Sequence, residues 1–442
     1  MKLPIAVIIT LWALLMFLPP LMKDMPFAEA ALPAADGLMR HVWVAQLYEG
    51  GGWYNNIIAD ISAPVGGSLH WTHPLDILII IGAQPLELFM ESSEALFWSG
   101  ALICPLLLLA CLFGIAWSVI PLVGRQRWLP ACILGLFQVG IFSYASFGRA
   151  DHHTLLLFFE VILIGATIRM ILGQSARRAA IIAGLAGAVG LWVSPEMALG
   201  LIPCVMILTW LWLQQPEKWL PHLSTFSVSL LCATVLVIPI EYPPSRWFET
   251  VYDKISFPYV ILLACFAVFW MVCRAVPMIF NSTVKRSVLL GSWATISMGF
   301  IIWYSPGIIF ASLSQIDPRI VDMWVNRVNE MQSLFPTGLW ELGMLLVLLG
   351  LGFVALPIIL HRVITRRDDP FWNVYLFLAF GTVISFVLSV QHARFSALAE
   401  LFFVIALAIP LDDWLKKLAE YRTGLIGLME STLIIIILTF FG

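Results

Sequence analysis

Apolar residues fall along this chain in long unbroken runs rather than in alternating or three-to-four patterns. Runs long enough to cross a bilayer, at roughly 20 residues each, begin at Pro4, Ala95, Trp128, His153, Ala179, Met197, Leu223, Pro258, Ser287, Leu339, Phe371, Arg394 and Thr423. They predict about thirteen transmembrane helices, and therefore an all-α polytopic membrane protein in which 1–442 is a single transmembrane domain. One further run, Leu75–Met90, is shorter, contains Pro85, and has Glu87, Glu91 and Glu94 in or just after its end. Counted as a span it would invert every later segment.

Loop charges decide the matter, because Lys and Arg accumulate on the cytoplasmic side. With 75–94 kept outside as a re-entrant or surface helix, the basic loops all face the cytoplasm: Arg125/Arg127, Arg169/Arg177/Arg178, Lys218, Lys285/Arg286, Arg362/Arg366/Arg367 and Lys416/Lys417/Arg422. The outer face then carries a first loop, 23–74, and a late loop, 311–337, along with the shorter loops that hold most of the polar residues. The expected location is a bacterial inner (plasma) membrane, with the polar loops facing the periplasm or exterior. Pro4–Met22 is long for a signal peptide and is read as a retained first helix.

Composition sharpens this picture. With 61% hydrophobic and 12% charged residues and a mean hydropathy of +0.94, a soluble protein would expose large apolar patches and aggregate. The net charge of -3 offers no basic face to phosphates, so nucleic acid is not an expected partner. All seven cysteines lie inside apolar runs and read as small core residues, not as disulfides or a zinc site. No internal repeat, low-complexity tract or soluble domain is evident.

Against this greasy background the polar positions stand out. Asp36-Gly37-Leu38-Met39-Arg40 opens an expected amphipathic helix with Leu38, Val42, Ala45 and Tyr48 on its apolar face. Ala63 to Pro74, which includes His70 and Trp71, is turn-rich and aromatic, as a carbohydrate-facing loop is. Asp151-His152-His153 is wedged between two apolar runs. Polar groups there are costly to dehydrate, and carboxylate with imidazole suits Mn²⁺, Zn²⁺ or Fe²⁺ better than a pure Mg²⁺ site. Asp151 is equally suited to capping a helix. Glu160 lies two turns below His153 and is expected to pair within the bundle. Ser194-Pro195-Glu196 separates two spans, Glu330 lies in the late loop, and Arg394 begins a span, where it either snorkels or holds a lipid phosphate.

In their order these landmarks resemble the catalytic subunit of oligosaccharyltransferase, a GT-C glycosyltransferase acting on polyprenyl-linked sugars. The first acidic motif matches Asp36 to Arg40. Two turn motifs match Gly52-Trp53-Tyr54 and Pro64-Val65-Gly66-Gly67. The Gly-x-x-Asp-x-Asp/Glu motif matches Gly148 to His153, and a Trp-containing turn matches Trp192 to Glu196. The loop glutamate matches Glu330, before Met331-Gln332, and the late arginine matches Arg394. The likeness covers roughly the whole chain. It departs from the family at His153, which stands where the family has a carboxylate and favours a softer metal. It departs again at Gly442, beyond which the family carries a Trp-Trp-Asp-Tyr-Gly domain that reads the acceptor sequon.

The resemblance implies a GT-C fold and a metal-dependent inverting glycosyltransferase using a polyprenyl-phosphate- or pyrophosphate-linked sugar at the outer face. Asp36, Asp151 and Glu330 would be catalytic. Asp36, Asp151 and His153 would hold a divalent metal, Mn²⁺ or Mg²⁺, and Arg394 would bind the donor phosphate. Arg40, His152, His70, Trp71 and Glu196 would line the substrate site. The expected partners are the lipid-linked donor, membrane lipids, a glycolipid or cell-envelope glycan acceptor, and an accessory subunit supplying any missing function. Alternatives are protein glycosylation as in oligosaccharyltransferase, a lipid-linked sugar flippase or transporter, and a non-catalytic assembly subunit. A transporter places its ionisable residues near the midplane and often repeats its halves, whereas these residues cluster at one face.

Overall fold

The computed structural model describes residues 2–22, 35–58, 64, 66–276, 282–307, 318–323 and 327–421. Among these, the first hydrophobic run forms α1 (Lys2–Met22). The first loop contains α2 (Ala35–Tyr48) and a two-stranded antiparallel ladder, β1 (Ile57–Ile58) with β2 (Gly67–Ser68). Among the described residues, ten helices are long and apolar enough to cross a membrane. The first is α4 (Ser92–Val123), preceded by the short α3 (Pro74–Ala83). Next come α7 (His152–Ile171), α8 (Ala176–Val193), α9 (Met197–Gln214), α10 (Pro216–Glu241), α11 (Phe257–Ala275) and α12 (Thr283–Tyr304). The short α13 (Pro318–Met323) precedes α14 (Leu339–Thr365), α15 (Trp372–Gln391) and α16 (Ser396–Tyr421).

Eleven of the thirteen expected spans therefore correspond to one helix each, α1 among them. The thirteenth, from Thr423, lies outside the described residues, as do parts of the 23–74 and 311–337 loops, including Asp317. The third, Trp128–Phe147, is not one helix. It breaks into α5 (Leu129–Leu136) and α6 (Val139–Tyr144), with Gln138 extended between them. The cause lies far along the chain. The Glu400 carboxylate on α16 accepts hydrogen bonds from Gly140 N at 2.8 Å and Ile141 N at 2.7 Å. Backbone donors freed by a break in hydrocarbon must find an acceptor, and Glu400 supplies both. Only glycine fits at 140, where a Cβ would stand 2.8 Å from the Glu400 carboxylate.

Two helical groups pack side by side. In one, α8 lies against α7 and α10, and α4 against α7; in the other α14, α15 and α16 pack together, with α15 touching α9. Buried Ala179, Ala180, Ala183 and Gly184 let α8 approach closely, as small residues do in membrane bundles. A Cβ on Gly184 would stand 2.7 Å from the Phe226 carbonyl. By contrast α12 is almost wholly exposed along its apolar length.

Candidate functional site

The site is assembled where α7 begins. Gly148 adopts a left-handed φ of 82°, which turns the chain after α6, and its N–H donates to Ala101 O at 3.0 Å. Asp151 then caps α7, accepting from His153 N at 3.0 Å. Capping is only part of what it does. The same Oδ1 meets His153 Nδ1 at 2.7 Å and lies 3.4 Å from His152 Nδ1, while Oδ2 accepts from Arg149 at 3.0 and 2.8 Å. Burial opposes ionisation of Asp151, but the His153 charge and hydrogen bond, then His152 and Arg149, hold its carboxyl well below the usual range.

His153 is clamped between Asp151 and the Tyr144 ring, which stacks on it at 4.4 Å. Its Nε2 faces Glu196 at 3.7 Å and Arg394 at 3.5 Å. Arg394 and Glu196 are themselves an ion pair, brought together from the α8–α9 turn and the short helix ahead of α16. Arg394 also reaches Met331 Sδ at 3.3 Å, next to Glu330, whose carboxylate accepts from Tyr144 at 3.2 Å. A small cavity of about 20 Å³ beneath is lined by His153, Glu196, Arg394 and Glu160, room for about one water. Glu160 meets no cation in the described residues, contrary to the expected pairing, and its Oε2 has no partner.

Asp36 lies in the first turn of α2, exposed and facing this cluster. Partial burial, then the charges of Asp151 and Glu330, push its carboxyl above the ordinary range, against the pull of Arg149 and His70. Three carboxylates from three separate segments thus repel one another across one gap. Donor atoms of Asp151, His152 and His153 all lie within 4.8 Å of one another. Hard carboxylates with imidazole, and a local excess of acid, fit a divalent cation. Arg149, not among the residues singled out in the sequence, is the guanidinium that balances Asp151.

Other expected residues have a different place. Arg40 is 1% exposed, pairs with Asp76 at 2.5 Å, and lies 4.5 Å over Trp71. Trp43 donates to the same Asp76 at 3.0 Å. The buried stripe of α2 is thus Gly37, Arg40, Trp43 and Val44, and Leu38 and Val42 face outward. Burial pushes His70 down; it lies beside Trp71. Behind them stands a second polar cluster that sequence reasoning missed. His73 Nδ1 meets Glu241 at 3.0 Å, Trp192 donates to the same oxygen at 2.8 Å, and Trp53 stacks on His73 at 4.3 Å. Burial disfavours the charged imidazole, but the hydrogen bond and charge of Glu241 more than offset it and raise His73.

No protein-family profile and no curated protein matches the chain in sequence. Solved structures do match it in shape. An archaeal oligosaccharyltransferase, AglB from Archaeoglobus fulgidus, in complex with an inhibitory peptide and a dolichol-phosphate, superposes with a TM-score of 0.74 at 13% identity, covering 99% of this chain and 55% of that one. The A. fulgidus oligosaccharyltransferase tethered with an acceptor peptide containing the NVT sequon gives 0.72 at 14% identity, covering 99% and 54%. Its complex with Zn and sulfate gives 0.67 at 12%, covering 99% and 52%. The chain spans about half the length of these structures. It has the GT-C, oligosaccharyltransferase-like membrane fold.

Proposed function

We propose that this protein is a membrane glycosyltransferase of the GT-C type, transferring a sugar from a polyprenyl phosphate or pyrophosphate at the outer face of the membrane. One observation carries the reading: Asp36, Asp151 and Glu330 converge from three segments beside the Arg394 guanidinium, a charge pattern suited to a cation and a phosphate.

Asp151, His153 and Asp36 hold a divalent cation, which when bound stabilises charge developing on the leaving phosphate. His153 in the donor set favours Mn²⁺ over Mg²⁺, and the Zn complex of a similar structure is consistent with imidazole ligation. Asp151 orients His153 through the Nδ1 contact, leaving Nε2 facing the site. Arg394 exchanges Glu196 for the donor phosphate, which it grips laterally. Asp36 or Glu330 orients the acceptor hydroxyl and takes its proton. Direct displacement of the lipid phosphate inverts the anomeric centre.

The test is release of polyprenyl phosphate from a synthetic lipid-linked sugar by the purified protein. Asp36→Ala and Asp151→Ala should each abolish release while remaining folded and extractable, and chelation should stop the wild type until Mn²⁺ is returned. Near-wild-type turnover in both variants would sink the assignment.

A further inference from the structure

A cleft of about 530 Å³ opens between α8, α10 and α11, far from the Asp151 site. Helix direction places it at the other end of the bundle. Val193, the last residue of α8, lies next to the Ser194–Glu196 turn of the site, whereas Arg177 is in the first turn of that helix. At 1.5 Å per residue the two are roughly 25 Å apart. Arg274, in the last turn of α11, and Ser224, in the early part of α10, meet Arg177 around the cleft.

The cleft carries positive charge without a counter-ion. No carboxylate lines it. Arg274 donates to Ser224 Oγ at 3.2 Å, and neither arginine pairs with an acid among the described residues. Some of the other cations at this end are covered by the protein itself. Arg127 pairs with Asp412 at 2.8 Å, Arg362 with Asp413 at 2.7 Å, and Arg169 lies 3.6 Å over the Trp117 ring. The start of α8 compounds the imbalance. Its first turn has Arg177 and Arg178 and no acid, and Ser175 makes no side-chain cap. Cations at a helix N-terminus oppose the macrodipole, so an anion there relieves both.

The lining also limits what the anion is. Ser224 and Thr225 already donate to Pro221 O at 3.1 and 2.8 Å, which leaves the two guanidiniums and Ser229 to meet it. The remaining wall is aliphatic, as at Ile181 and Met271, and suits an acyl chain better than water. We infer that this cleft binds the phosphate of an anionic phospholipid, with both arginines on the phosphate oxygens and the acyl chains of the lipid against the apolar wall. Basic pockets between transmembrane helices recognise such headgroups, and the guanidinium fork matches phosphate geometry.

Native mass spectrometry of the full, delipidated protein tests this with phosphatidylglycerol, phosphatidylcholine and inorganic phosphate as separate probes. The wild type should bind phosphatidylglycerol at least tenfold more tightly than phosphatidylcholine. Each arginine should contribute about fivefold, so Arg177→Ala with Arg274→Ala should weaken phosphatidylglycerol binding about 25-fold. Arg177→Lys with Arg274→Lys should retain most of the binding. Should the alanine pair lose its wild-type melting behaviour in phosphatidylcholine micelles, Arg177→Gln with Arg274→Gln gives the same reading. Equal binding of the two lipids, or arginine-independent binding, overturns the inference. So does arginine-dependent binding of inorganic phosphate that abolishes the phosphatidylglycerol adduct, which would mark a site for the free anion.

Discussion

His153 meets Asp151 at 2.7 Å where α7 begins, and His73 meets Glu241 at 3.0 Å where α3 meets α10. Each imidazole also lies nearly parallel to an aromatic ring, Tyr144 at 4.4 Å for the first and Trp53 at 4.3 Å for the second. By residue type the two clusters are near copies. Their surroundings differ. Around His73 the charge closes: both side chains are essentially unexposed, Trp192 donates to Glu241, and the neighbouring Asp76 is bound by Arg40 and Trp43. Around His153 the carboxylates Asp36, Asp151, Glu196 and Glu330 outnumber the guanidiniums Arg149 and Arg394 among the described residues. His73 and Arg40 are thus each matched by an acid, although His73 Nε2, Glu241 Oε1 and two Arg40 nitrogens have no hydrogen-bond partner, whereas acid is in excess around His153. Charge balance separates the two where composition cannot.

The widest separation comes from Asp151→Asn. The amide oxygen still caps His153 N, but Arg149 and His153 lose their countercharge, so the melting temperature in detergent should fall, while turnover by the folded fraction should drop on the order of 10³-fold. If turnover instead follows stability, the contrast between the clusters fails. The converse variant is Glu241→Gln, which leaves His73 buried without a countercharge and should cost about 3 kcal/mol of stability. Turnover by its folded fraction should stay within about threefold, a difference of under ~1 kcal/mol. Gly140→Ala probes the scaffold beside the His153 cluster alone: a Cβ 2.8 Å from the Glu400 carboxylate should cost about 2 kcal/mol, read as a lower melting temperature. The smallest effect is a pH slope. Because Glu241 raises His73, its stabilisation is fully present below the unfolded value of about 6.5. It fades as pH rises through the raised folded value. Melting temperature should fall across that window in the wild type and flatten in Glu241→Gln.

Local features were legible in the sequence, and distant pairings were not. Hydropathy located the ten long helices because each apolar run carries its own signal. Asp151 and His153 were legible because cap, acid and imidazole are consecutive. Glu330 and Arg394 stood out as single polar residues but gained a site role only through the order of motifs, since an isolated loop acid or helix-start arginine is usually solvated. Arg40 was expected to line a substrate, but it is buried against Asp76, 36 residues away. Trp128–Phe147 read as one span because nothing within it reveals Glu400. The His73–Glu241 pair spans 168 residues and was invisible for the same reason.

Glu400 joins the two parts of the chain across 260 residues of sequence. A ribosome therefore releases Gly140 and Ile141 into the membrane long before their acceptor exists. Until α16 arrives, the α5–α6 segment holds two backbone donors that lipid cannot satisfy. The nascent chain must keep that segment near water or inside the insertion machinery, and the closing of α16 onto it is a late assembly step. Arg394 enters at the head of the same helix, so the site reaches its finished form only once α16 has been made.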